Sequence, residues 1–95
     1  MSAPDFIVHD AEDTVGVIVK EGIAANTTLS GWVMADDSRV EIACIDPIPL
    51  GHKIALGDIA EGDTILKYGN DIGKAVAAIA KGGHVHTQNV KTKRW

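Results

Sequence analysis

An internal repeat constrains this chain more than any other feature. The segment from Ala55 through Ile59, Ala60, Gly62 and Ile65 aligns with the segment from Ala75 through Ile79, Ala80, Gly82 and Val85 at an offset of 20 residues. A weaker copy, Ile23-Ala24-Ala25-Asn26-Thr27-Thr28-Leu29, aligns at an offset of 36 from the first. Each copy reads apolar-Ala-x-Gly, then two residues, then an apolar residue that opens a β-type run. Gly62 and Gly82 can supply the positive φ of a tight turn, and Asn26 is the best non-glycine substitute for that role. The repeat therefore predicts one device used three times: a short turn hooks an Ile into the core and launches a strand.

Strand signals dominate the rest. Thr14 to Lys20, Thr27 to Ala35 and Arg39 to Ile45 are rich in β-branched residues, and the polar Asp36-Asp37-Ser38 between the last two predicts a hairpin. Lys53 to Leu56 and Thr64 to Leu66 are two further short runs. A helical turn or two is expected within Asp71 to Ala80, around Gly73-Lys74-Ala75-Val76-Ala77. The fold class expected is mostly β, with short strands, long connections and one domain over residues 1–95. A regular sandwich would show stronger alternation.

Composition narrows the function classes. A core must be built from Ile, Val, Leu and Ala, because Phe6, Trp32, Tyr68 and Trp95 are the only aromatics. Cys44 is the single cysteine and lies in an apolar stretch, so a buried free thiol is expected rather than a disulfide. The amino-terminal residues carry no signal-peptide pattern, and no apolar run approaches the roughly 20 residues that span a bilayer. A cytoplasmic protein with no membrane contact is expected. Net charge is −4, with a short basic tail at Lys91, Lys93 and Arg94. That tail is too small for a nucleic-acid footprint and better suits an anionic small molecule or an acidic subunit. The terminal Trp95 is a candidate for docking on a partner.

Three polar clusters can carry chemistry. His84 and His86 follow the third turn and, at i and i+2 of a strand, share one face roughly 6.5–7 Å apart. Two such imidazoles can converge on one metal ion, or one can act as a base while the other binds an anion. A polar, solvent-facing strand edge accounts for the same spacing. In Gly51-His52-Lys53, glycine lets the backbone approach a ligand that the imidazole and ammonium can hold, a carboxylate or sulfonate. Lys67-Tyr68-Gly69-Asn70 supplies another potential anion contact at Lys67, although a lysine also keeps a strand edge soluble. His9 reads as a surface or packing residue. Few acids lie near the histidines in sequence, and no complete catalytic apparatus is visible.

Four motifs in order, Gly51-His52-Lys53-Ile54-Ala55-Leu56, Asp58-Ile59-Ala60-Glu61-Gly62-Asp63, Ile65-Leu66-Lys67-Tyr68-Gly69 and His84-Val85-His86-Thr87-Gln88-Asn89, resemble the SAF domain of the altronate/galactarate dehydratase family. The resemblance spans nearly the whole chain and implies a β-clip fold. In the sugar-acid dehydratases this domain opens a much longer polypeptide, whereas this chain stops at Trp95, as in the small subunits of the related (2R)-sulfolactate sulfo-lyases. That implies a lyase, inactive alone, that releases sulfite from an organosulfonate and has its site completed by a large subunit. A sugar-acid dehydratase domain and a non-catalytic anion-binding or partner-stabilising module are the alternatives. The resemblance further implies iron, Fe2+, held partly or mainly by the partner. His84 and His86 are the expected catalytic or metal-binding residues, and His52, Lys53, Lys67 and Asn89 the expected substrate contacts. Gln88 stands where the dehydratases commonly have a third histidine, which weakens a three-histidine metal site within this chain.

Overall fold

In a computed structural model, residues 3–67, 70–86 and 89–92 are described. They form nine strands: β1 (Phe6–Val8), β2 (Val15–Ile18), β3 (Thr28–Val33), β4 (Ser38–Ala43), β5 (Lys53–Ala55), β6 (Thr64–Lys67), β7 (Asn70–Ala75), β8 (His84–Val85) and β9 (Val90–Thr92). Six of them build one sheet in the order β4-β3-β1-β2-β5-β8, and β6-β7-β9 build a second. All pairs are antiparallel except β1 with β3. The β3–β4 hairpin forms as the sequence predicts, with Asp37 taking a φ of 57° in its turn.

The helical turn expected within 71–80 does not form. Residues 70–75 are instead the central strand of the smaller sheet, with β6 on one side and β9 on the other. Helix propensity is a weak preference that tertiary context overrides, and Gly73 and Lys74 are paired on both sides, with β6 and with β9. Among the described residues there is no helix.

The turn device is present, and it occurs four times. Asn26, Gly62 and Gly82 have φ of 63°, 88° and 84°, and Gly51 joins them at 85°. Reading the fourth copy as Ile48-Pro49-Leu50-Gly51-His52-Lys53 explains why sequence comparison passed over it: proline replaces the repeat's alanine. In three copies the residue after the glycine donates its N–H back three residues, closing a turn: His52 to Pro49, Asp63 to Ala60 and Gly83 to Ala80. A glycine at the third turn position with φ near +80° is what a type II turn requires.

The hooks interlock in pairs. Ile23 bridges Ile48, and Ile59 bridges Ile79. Cys44 exchanges backbone bonds with Asn26 and Thr27, while Ile18 does so with Gly51 and His52. Ala75 pairs in the same way with Gly62 and Asp63, and Ala55 with Gly82 and Gly83. Each hook is thus clasped by the strand end that precedes its partner hook. The four isoleucines are buried, those of the first pair in a core with Phe6, Ile18, Leu29 and Ile54, those of the second in a core with Val15, Ala55, Ile65 and Val85. Cys44 is a fully buried free thiol, as expected, and donates to the Ala24 carbonyl.

Candidate active site

The second and fourth hooks launch β5 and β8, and these two strands pair. Their register sets Ile54 opposite His84 and Lys53 opposite Val85. One step further along, His52 falls across from His86, so two clusters far apart in sequence become one. The His52 ring stacks on His86 at 3.7 Å between centroids, 14° from parallel. It lies 5.0 Å from His84, which in turn is 6.1 Å from His86 and within 8° of parallel to it. His84 and His86 do share a face, as their spacing predicts.

His52 Nδ1 and His84 Nε2 are 2.7 Å apart. An N···N contact this short is a hydrogen bond that needs one proton, so one ring donates and the other accepts. The two rings therefore share a proton. Both histidines of the 84–86 pair are held below the ordinary imidazole value. For His84 the causes are burial first, then the neighbouring His52 and His86 and the Lys53 ammonium, against which Asp46 acts in the opposite direction. For His86 they are burial, then His52 and Lys53. His86 Nδ1 is buried and has no hydrogen-bond partner among the described residues. A neutral imidazole with an unengaged nitrogen is a base available at neutral pH.

Lys53 is half-buried, and burial lowers its pKa, with the Lys67 ammonium lowering it further. Lys67, on β6, is thus close enough to Lys53 for their charges to repel. The Lys53 charge acts in turn on His84 and His86, and an anion beside Lys53 would favour its charged form.

Two supporting groups complete the picture. Asp46 Oδ2 accepts the backbone N–H of His84 at 3.0 Å. This acid is 38 residues from His84, so the apparent shortage of acids in the sequence was one of sequence distance, and the fold removes it. Asn89, expected as a substrate contact, has both ends of its amide on backbone. Its Oδ1 accepts the His86 N–H at 3.0 Å and its Nδ2 donates to the His84 carbonyl at 2.7 Å. With the Asn89 N–H bonded to the His86 carbonyl, this side chain closes the turn that ends β8 and fixes both histidines. Thr87, Gln88, Tyr68, Gly69 and the Lys93-Arg94-Trp95 end lie outside the described residues.

Among the described residues, no group of three or more His, Cys, Asp or Glu is arranged to hold a metal ion. The iron implied by the resemblance does not find a complete ligand set in the described part of this chain. A cleft of about 530 Å³ opens elsewhere, lined by residues that include Asp13, Asp36, Glu41, Lys81 and Leu56. None of the clustered histidines or lysines contributes to it, and its carboxylates disfavour an anion.

Residues 4–93 match the model of the altronate/galactarate dehydratase SAF domain. The chain is 54% identical over 91 residues to a protein of Chromohalobacter salexigens named (2R)-sulfolactate sulfo-lyase subunit alpha, covering 96% of this chain and 97% of that one. It is 51% identical over 63 residues to a protein of the same name from Paracoccus pantotrophus, covering 66% of this chain and 94% of that one. It is also 57% identical over 87 residues to the altronate dehydratase of Escherichia coli, covering 92% of this chain but 16% of that much longer protein. Together with the all-strand fold and the interlocked turns, these matches place the chain in the altronate/galactarate dehydratase SAF-domain family.

Proposed function

We propose that this chain is the small subunit of a cytoplasmic lyase that cleaves (2R)-3-sulfolactate to pyruvate and sulfite, with a large subunit completing the active site. The observation that carries the reading is the convergence of His52, His84 and His86, with the Lys53 charge acting on His84 and His86. Similarity over 97% and 94% of the length of two proteins named as alpha subunits of that enzyme supports the substrate and the division into subunits.

The reaction is a β-elimination. A base removes the proton from the carbon bearing the hydroxyl and the carboxylate. The C–H electron pair forms the new carbon–carbon double bond, and the carbon–sulfur bond breaks with its pair leaving on sulfite. The enol left behind takes up a proton at its terminal carbon, releases its hydroxyl proton and becomes pyruvate. We assign the base to His86, whose Nδ1 is unengaged, with His84 alongside it. Lys53, Lys67 and His52 hold the sulfonate or carboxylate, where cationic groups also stabilise charge developing next to the carboxylate. Asp46 and Asn89 act as positioning residues through their bonds to the His84 and His86 backbone. We place the iron chiefly on the partner subunit, because no complete ligand set stands among the described residues of this chain.

The alternative within the same chemistry loses water instead of sulfite, and identity to altronate dehydratase favours it. One experiment tests both. This chain and the large subunit are purified separately and together, then assayed for sulfite release from sulfolactate and for water loss from altronate. Sulfite release by the pair, and by neither chain alone, is the expected result. Activity of this chain alone, or of the large chain alone, overturns the shared-site reading, and altronate turnover with no sulfite release establishes the dehydratase.

A further inference from the structure

Several exposed apolar residues belong to segments bonded to the histidine-bearing turns and strands. Among the described residues five large apolar side chains are between 41% and 49% exposed: Val19, Met34, Ile45, Leu50 and Val76. Four of these five stand within two residues of a group bonded to the cluster, or are bonded to one directly. Leu50 lies in the Pro49–His52 turn, two residues before His52. Val19 follows Ile18, which exchanges backbone bonds with Gly51 and His52. Val76 donates its N–H to the carbonyl of Asn89, the residue that fixes His84 and His86. Ile45 precedes Asp46, whose carboxylate holds His84, and bonds to Gly82 in the turn before it.

We propose that Val19, Ile45, Leu50 and Val76 form an apolar rim on which the large subunit seats, roofing the histidine–lysine centre. The proposal rests on the two-subunit reading above and adds to it which surface is covered. Two observations name the occupant. Relatives matched over almost their whole length are named as alpha subunits, which require a second polypeptide. In altronate dehydratase the matching 87 residues are 16% of one chain, so there the same domain lies beside a far larger body. Apolar residues enclosing a polar centre exclude water from it, and this strengthens every charge interaction inside.

The test uses the full chain and the large subunit, the polypeptide that matches the rest of altronate dehydratase. Association is measured by titration calorimetry for Leu50→Asn, Val76→Asn and Met34→Asn. The substitutions lie on exposed side chains, and circular dichroism of each variant alone checks that the fold is kept. The expected result is at least tenfold weaker association for Leu50→Asn and for Val76→Asn, with Met34→Asn within twofold of the parent. Parental affinity in both rim variants, or equal weakening by Met34→Asn, overturns the proposal, as does a parent chain that does not bind the large subunit. The two readings fail separately. A complex that assembles through the rim yet releases no sulfite leaves the interface standing and removes the substrate. Sulfite release that survives rim substitution with undiminished affinity does the reverse.

Discussion

The first and third hooks share a backbone design with the second and fourth, yet only the latter two launch the strands of the histidine cluster. After the positive-φ residue the first continues Thr27-Thr28 into β3, and the third continues Asp63-Thr64 into β6. The second continues His52-Lys53 into β5, and the fourth Gly83-His84 into β8. The decisive difference is where the launched strands go. β3 and β6 lie in different sheets, whereas β5 and β8 pair with each other. A repeated clasp builds the scaffold, and a site arises where two launched strands meet.

Removing an imidazole should break this contrast most sharply. His86→Ala is expected to lower turnover of the assembled enzyme about 10² to 10⁴-fold, the usual worth of a positioned proton-transfer group. A Thr28→Ala change, after the first hook, should leave turnover within about twofold, since it alters an exposed side chain remote from the proton-transfer groups. Steady-state kinetics on both variants decide the matter, and comparable losses would end the distinction between chemical and structural hooks.

The glycines offer the next largest effect, read in stability. A Cβ on Gly82 would overlap the Ala43 carbonyl oxygen, a backbone atom that cannot withdraw alone, and the residue also has φ of 84°. Gly51 and Gly62, at φ of 85° and 88°, have nothing near the same position. Gly82→Ala should therefore cost about 3 kcal/mol, overpacking added to left-handed strain, and Gly51→Ala about 1–2 kcal/mol from strain alone. Urea unfolding of the chain measures both. Equal costs would show that the clasp around the fourth hook is looser than the structure has it.

Asp46 separates positioning from charge. Asp46→Ala removes the acceptor for the His84 N–H and should lower turnover about tenfold, while Asp46→Asn keeps an acceptor oxygen and should restore most of it. The effect belongs in kcat rather than KM, because Asp46 bonds to the backbone beneath the imidazole. Equal loss in both variants would mean that the carboxylate charge is what matters.

The pH dependence should be milder. Both His84 and His86 are held below the ordinary value near 6.5, mainly by burial. Their neutral forms persist below pH 6.5, so the acid limb of kcat/KM should lie at lower pH than for an unperturbed histidine. Stability follows with a defined sign. Between the lowered folded values and 6.5 the unfolded chain binds more protons, so stability rises with pH across that window and falls as the solution is acidified from 6.5. A histidine NMR titration showing values above 6.5 would reverse both expectations.

The repeat was legible because a turn with positive φ restricts residue type, and restricted positions leave a pattern. Three hooks carried Gly or Asn after Ile-Ala, while the second hid behind Ile48-Pro49-Leu50. The same-face pair His84 and His86 was legible because strand spacing is local. Its meeting with His52 was not, because that depends on the register of two strands 32 residues apart. Asp46 was invisible for the same reason. The strand at Asn70–Ala75 was missed because the alanines that follow Lys74 favour helix, and only pairing with β6 and β9 settles the matter.

Asn26 gives the finest test of the contrast among hooks. It holds φ of 63°, and its N–H bonds the Cys44 carbonyl at 2.8 Å. Its side chain is exposed, so substitution there tests the backbone device with little packing involved. An L-residue in this conformation costs about 1–2 kcal/mol, and asparagine less, because its short polar side chain bonds locally. Asn26→Ala should therefore destabilise by about 1 kcal/mol. Asn26→Gly relieves the strain but adds freedom to the unfolded chain worth about 0.4–1 kcal/mol, so the net change should stay within about 0.5 kcal/mol. Neither should alter turnover of the assembled enzyme, since this hook launches β3 and not a histidine-bearing strand. A change in urea midpoint without a change in kcat is the signature of a purely structural clasp. A loss of turnover in Asn26→Ala at temperatures where the chain is fully folded would show that the first hook pair transmits its geometry through Ile48 to His52.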